Sequence, residues 1–226
     1  MSAVAEKRYT TPGSVLKDVL DHFSRYCAHQ STLDPRGNDC SVACRETSNN
    51  AERRFYSLER RLEANAELKA QYHQFVTEYE ELGHMREVDY GELDTNPQYF
   101  LPHHAVLRLE SSTTKLRTVF DASYKSKSGL SLNDVLMPGP TVHDSLVAIV
   151  LRFRMHPFVV AADVTKMYRQ ILVDPSDQPL QRIFWRFSAD EPLKVYQLLT
   201  VTYGTNCAPF LATRVLQKLA EDEAAN

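Results

Sequence analysis

The chain has 226 residues, 43% of them apolar, and carries a formal charge of −3 at pH 7 with a sequence pI near 6.2. That length and apolar share suffice for one sizeable domain, or two small ones, with a buried core. The charge balance excludes nucleic-acid binding by bulk basicity, so any such surface must be local. No apolar run approaches the roughly 20 residues of a membrane span.

The first ten residues hold no apolar stretch of signal-peptide type, so an intracellular, reducing location and no membrane association are expected. The four cysteines are Cys27, Cys40, Cys44 and Cys207. Cys40 and Cys44, with Cys27 and His29 nearby, form no finger or knuckle spacing, and free thiols are expected. Residues 1–50 read as a poorly defined region. Val15, Leu16, Val19, Leu20 and Phe23 mark one short amphipathic helix, and a polar loop follows from Asp34 to Asn50.

Residues 51–82 predict a long helix. Phe55, Leu58, Leu62, Tyr72, Phe75, Val76, Tyr79 and Leu82 recur at three- and four-residue steps, while Glu59, Arg60, Arg61 and Glu63 fall mostly opposite. Gly83 is a stop, and Asn65 is a point where one helix would become two. A helical connector over 51–98 is expected to precede a second body over 99–226. In that body, His103 to Leu109 and Lys115 to Asp121 predict a hairpin with a polar tip at Ser111 to Thr114. His143 to Met155 predicts a helix with Leu146, Ile149, Val150 and Phe153 on its apolar side, ended by Pro157. The run Phe158 to Ala162 predicts a central strand covered on both faces, closed by Asp163. A short helix follows, then paired strands at 182–187 and 194–200, and a last helix over 208–222. The predicted class is α+β.

Asp163 carries the most chemical information. A carboxylate ending an apolar strand is costly unless it is paired. It either caps a helix beginning at Val164 or offers a hard oxygen to a divalent cation; the residues alone leave both open.

The run from Ala162 through Ile171 resembles the first catalytic block of reverse transcriptases. Lys115 to Asp121 resembles their nucleotide-holding fingers strand. Thr202 to Phe210 resembles their segment in which a Gly turn precedes a small-residue–Pro helix start. Several phrases are similar to BEL/Pao retrotransposons in particular: Tyr99 to His104, Ser111 to Arg117, Phe120 to Ser123, Leu132 to Leu136, Tyr203 to Thr205, and Ala208 to Arg214. The helix carrying Arg54 to Glu63 resembles the connector ahead of their polymerase. The resemblance covers about residue 51 to the end.

The resemblance implies a partial right-hand polymerase, with fingers and an incomplete antiparallel palm. It implies RNA-directed DNA synthesis, with a primer 3′-hydroxyl attacking a dNTP and pyrophosphate leaving. Asp163 and the Val164 peptide unit would face Mg2+, with Mn2+ as the alternative. Arg117 would bind triphosphate beside Lys166 and Met167, Tyr168 would gate the sugar, and Arg108 and Tyr203 would complete the nucleotide contacts. Tyr203 stands where retroviral relatives carry Gln. Lys115, Lys125 and Lys127 would touch RNA or DNA template–primer. His103 and His104 are expected to be structural, and the location would be cytoplasmic or within a virus-like particle.

The aromatic-x-Asp-Asp turn that completes the family's metal site does not occur in these residues. Little or no polymerase activity is therefore expected of this chain alone. A non-catalytic nucleic-acid-binding or protein-interaction role is the alternative, and the sequence leaves the oligomeric state open.

Overall fold

The structure, a computed structural model, describes residues 47–93, 97–107 and 116–224. Helix α1, Thr47–Glu63, buries Thr47, Ala51, Phe55, Leu58 and Leu62, a single stripe at helical spacing. Glu63 ends it. Asn65 then caps α2, Ala66–Glu81, with extended backbone and a side chain that accepts from Leu68 N at 3.0 Å. The 51–82 pattern is thus two helices, divided where Asn65 interrupts it. Replacing Asn65 by alanine should cost about 1 kcal/mol of unfolding free energy, read by urea titration. Helix α2 buries Leu68, Tyr72, Val76 and Tyr79 and ends before Gly83, whose φ is +67°.

Five α-helices and two antiparallel sheets make up the described residues, an α+β arrangement. The first sheet has the order β1-β5-β4, from Met85–Glu87, Lys194–Leu198 and Arg182–Trp185. Its register pairs Met85 with Leu198 and Phe184 with Val195. The second is the hairpin of β2, His103–Leu107, and β3, Leu116–Phe120, with His103 opposite Phe120. Both hairpins lie where alternation places them, and β4 and β5 are each two residues shorter than expected. β1 had no counterpart in the sequence reading, because three residues are too few to establish a period of two. The polar hairpin tip, Arg108, Lys115, the 15–23 helix and the Cys27, Cys40, Cys44 group lie outside the described residues.

The core lies between α1, α2 and the two sheets. Trp185 stacks on Tyr72 with ring centroids 5.3 Å apart and meets Phe55 edge-on at 5.9 Å. At its margin Arg186 grips Glu59 of α1 through two nitrogens, at 2.7 and 2.9 Å. Arg182, fully buried, donates to the Glu92 carbonyl at 2.7 Å and to Gln98 at 2.5 Å, tying both residues to β4. Beyond the hairpin comes a one-turn helix, α3, Leu132–Val135, closed by a Ser131–Asp134 capping box. The last helix, α5, Ala208–Ala224, buries Ala208, Leu211 and Ala212.

Two expectations are corrected between these elements. The 143–155 helix exists as α4, Leu146–Arg154, but none of its residues is buried, so its apolar side is not turned to a core. The Phe158–Ala162 strand does not form. Phe158 and Val160 are 91% and 89% exposed. Among the described residues no ladder or bridge pairs residues 156–164 with another strand. An apolar run states what a segment would gain by burial, whereas a strand also needs a neighbouring backbone to receive its N–H and C=O groups.

Candidate functional site

Arg117 is the second residue of β3, opposite Val106. Strand alternation sends Thr118 and Phe120 into the core and leaves Arg117 exposed. Its guanidinium reaches over the ring of Tyr203, 5.7 Å from the centroid, within cation–π range. Tyr203 packs on Phe120 at 5.5 Å. It sits on the turn after β5, where Gly204 takes φ +102°. A Cβ there would lie 2.3 Å from the Phe120 carbonyl oxygen, so the turn abuts β3 directly. Burial raises the Tyr203 phenol above its ordinary pKa, against the opposing pull of Arg169 and Arg117, and it stays neutral.

The turn is fixed from a second side by Asn133 of α3. Its Nδ2 donates to the Gly204 carbonyl at 2.9 Å, and its Oδ1 accepts from Asn206 N at 2.8 Å. Asn206 in turn donates to the Asn133 carbonyl at 2.6 Å. Asn133 belongs to one of the resembling phrases but had no assigned role; its function in positioning the turn depends on a tertiary meeting that local sequence does not encode.

The block from Asp163 to Ile171 approaches the same place through Arg169. The Arg169 guanidinium lies 4.4 Å from the centroid of Tyr79 and 5.6 Å from that of Phe75. It also donates to Glu78 at 2.9 Å, and Lys166 donates to the same carboxylate oxygen at 2.7 Å. Burial opposes ionisation of Glu78, but hydrogen bonds from Lys166 and Arg169 outweigh it and hold its pKa below the usual value. Lys166 reaches this contact from a left-handed backbone, φ +53°, an uncommon conformation outside glycine. Met167 and Tyr168 follow in a one-turn 3-10 helix, Met167–Gln170, half-buried against the core. Arg169, Glu78 and Tyr79 were not singled out in the sequence, although Arg169 lies inside the quoted block and Tyr79 on the helix stripe.

Asp163 stands apart from this constellation. It is exposed, follows an irregular segment rather than a strand, and makes no hydrogen bond or ion pair among the described residues. Val164 beside it is 43% exposed. Lys125 and Lys127 are exposed on the loop before α3, where Arg54 of α1 lies over Tyr124 at 5.0 Å. Among the described residues no three His, Cys, Asp or Glu side chains come together to hold a metal. One carboxylate and one peptide carbonyl fall short of the donor set that two divalent cations require. The residues described therefore do not fit a Mg2+ or Mn2+ pair.

No protein-family model matches the chain, and no curated protein matches it in sequence.

Proposed function

We propose that this chain is the fingers and part of the palm of a BEL/Pao-type retrotransposon reverse transcriptase. In this reading it holds RNA or DNA template–primer and nucleotide phosphate on the face around Arg117 and Tyr203. The parent activity would be RNA-directed DNA synthesis by nucleotidyl transfer to a primer 3′-hydroxyl.

The observation that carries the reading is the convergence of the three resembling blocks. Arg117 of β3 lies over Tyr203 of the Gly turn, Tyr203 bonds to Tyr79, and Arg169 of the Asp163 block lies over Tyr79. Arginines beside aromatic rings suit phosphate and base together: the guanidinium fork meets phosphate oxygens, and the ring offers a stacking face. Lys125 and Lys127 would extend the positive track, with Arg108 and Lys115 nearby in the sequence. The isolation of Asp163 favours binding without catalysis for the chain by itself.

The test is fluorescence anisotropy with a labelled RNA–DNA primer duplex, alongside primer extension with magnesium or manganese. Binding should weaken steeply with salt, by a log–log slope of about −0.9 per phosphate neutralised. Arg117→Ala should lower that slope by about one unit and weaken binding across sequences alike. Extension should give no product. Failure to bind the duplex at low salt would end the proposal, and robust extension would end its non-catalytic part.

A further inference from the structure

The segment from Leu146 to Val164 turns its apolar side chains outward. Leu146, Val147, Val150, Leu151 and Phe153 lie on one side of α4 with Arg154 among them, and all five are exposed, from 44% to 75%. Only Ala148 and Ile149 are half-buried. Met155, Phe158, Val159, Val160 and Val164 continue the exposed apolar surface along the irregular stretch that follows. The stretch is joined to the body at its two ends. Gln217 of α5 donates to the Val142 carbonyl at 2.7 Å, and Lys166 pairs with Glu78. Between those ties it is an arm.

We propose that this arm is a self-association surface, and that its occupant is the same arm of a second copy of this chain in a closed two-fold dimer. Three observations select a second copy. The first is area. These side chains expose on the order of 1,000 Å² of apolar surface per chain, above the largest patch of a typical monomer and above the roughly 800 Å² per partner of a standard stable interface.

The second is the backbone of residues 158–164, which among the described residues pairs with no other strand. Its N–H and C=O groups are open along both edges, and a neighbouring strand would satisfy those on one of them. From Phe158 to Ala162 the strand is uncharged, β-branched or aromatic for most of its length, and free of proline, the composition that pairs with itself.

The third is complementarity in the antiparallel register centred on Val160. Phe158 then faces Ala162, Val159 faces Ala161 and Val160 meets its own copy, so large side chains oppose small ones about the axis. The two Asp163 carboxylates lie at opposite ends, each across from Pro157 of the other copy, and no like charges are opposed.

Sedimentation velocity of the full chain over about 1–100 µM, a range that spans ordinary non-obligate affinities, tests this. Wild type should sediment as a discrete dimer. Val160→Lys and Leu151→Lys should each weaken it roughly a hundredfold, because every substitution enters a symmetric interface twice. Both side chains are exposed in the monomer, so far-UV circular dichroism of the variants should match wild type. A wild type that stays monomeric at the top of the range would overturn the proposal. So would a dimer indifferent to both substitutions, or open-ended aggregation with no discrete dimer.

Discussion

Gly204→Ala should be the most damaging single-methyl change in the described part of the molecule. Two costs coincide there. The backbone at φ +102° lies in a region that L side chains avoid, and the added Cβ would stand 2.3 Å from the Phe120 carbonyl oxygen. That neighbour is main chain of β3, held in its ladder by the pairing of Phe120 with His103, so it has no rotamer to move into. Either β3 or the 202–206 turn must shift. Asn133 resists a shift of the turn through its bonds to Gly204 and Asn206. The expected loss is roughly 3–5 kcal/mol in a denaturant titration, the range reserved for backbone strain combined with a core clash. Gly129→Ala is the matched control. Its φ is also positive, +84°, but nothing lies within 4 Å of the new methyl, so it should cost only about 1 kcal/mol. The difference between the two isolates the clash. The same shift would separate Tyr203 from Arg117, so duplex binding by any folded fraction of Gly204→Ala should fall as well. A Gly204→Ala protein as stable as Gly129→Ala would show that this contact is not a constraint.

The contrast between those glycines shows where sequence reading stops. That Gly204 needs an unusual torsion was readable from its place in the Gly turn; that the turn presses on a strand carbonyl was not, because Phe120 arrives from elsewhere in the chain. The same division runs through the fold. The stripes of α1 and α2 and the alternation of the two hairpins are local periodicities, and they were readable. The Phe158–Ala162 run was misread because hydrophobicity is a property of the segment, whereas a strand is a property of a pair. The candidate site divides in the same way. Arg117 and Tyr203 could be picked out from resemblance. Arg169 over Tyr79, the Glu78 carboxylate shared by Lys166 and Arg169, and the Asn133 brace each depend on two elements meeting. No spacing in the chain announces such meetings.

His103 should make the fold sensitive to mild acid. It opens β2 inside an aromatic nest, with Tyr72 5.9 Å away and nearly parallel and Trp185 and Phe120 at 6.2 and 6.3 Å. Its Nε2 lies 2.9 Å from the Phe184 carbonyl, which can only accept, so Nε2 carries the proton. Nδ1 is then free to accept from the Tyr72 hydroxyl at 2.5 Å. Burial pushes the Tyr72 phenol far above its ordinary pKa, so it remains the donor. Both bonds need a neutral imidazole. Burial accordingly depresses the His103 pKa to about 4, with His104 adding a smaller push in the same direction and the Phe184 bond opposing it. In the unfolded chain the ring titrates near its ordinary value of about 6.5. Between those two values the unfolded state binds the extra proton, so stability rises with pH across the window and is lost as pH falls through it. The loss from pH 7 to pH 5 should be about 2 kcal/mol, with the remainder lost as pH falls through about 4. His73, edge-on to Trp185, is depressed in the same sense by burial, but it is partly exposed and adds less. Glu78 has its lowered pKa in the carboxylate range, so its contribution falls below this window. Urea midpoints at pH 7, 6 and 5 would measure the slope. His103→Phe should start from a lower stability, because it strands the Tyr72 hydroxyl and the Phe184 carbonyl, yet lose little more between pH 7 and pH 5. An equally steep fall in that variant would move the acid sensitivity to another residue.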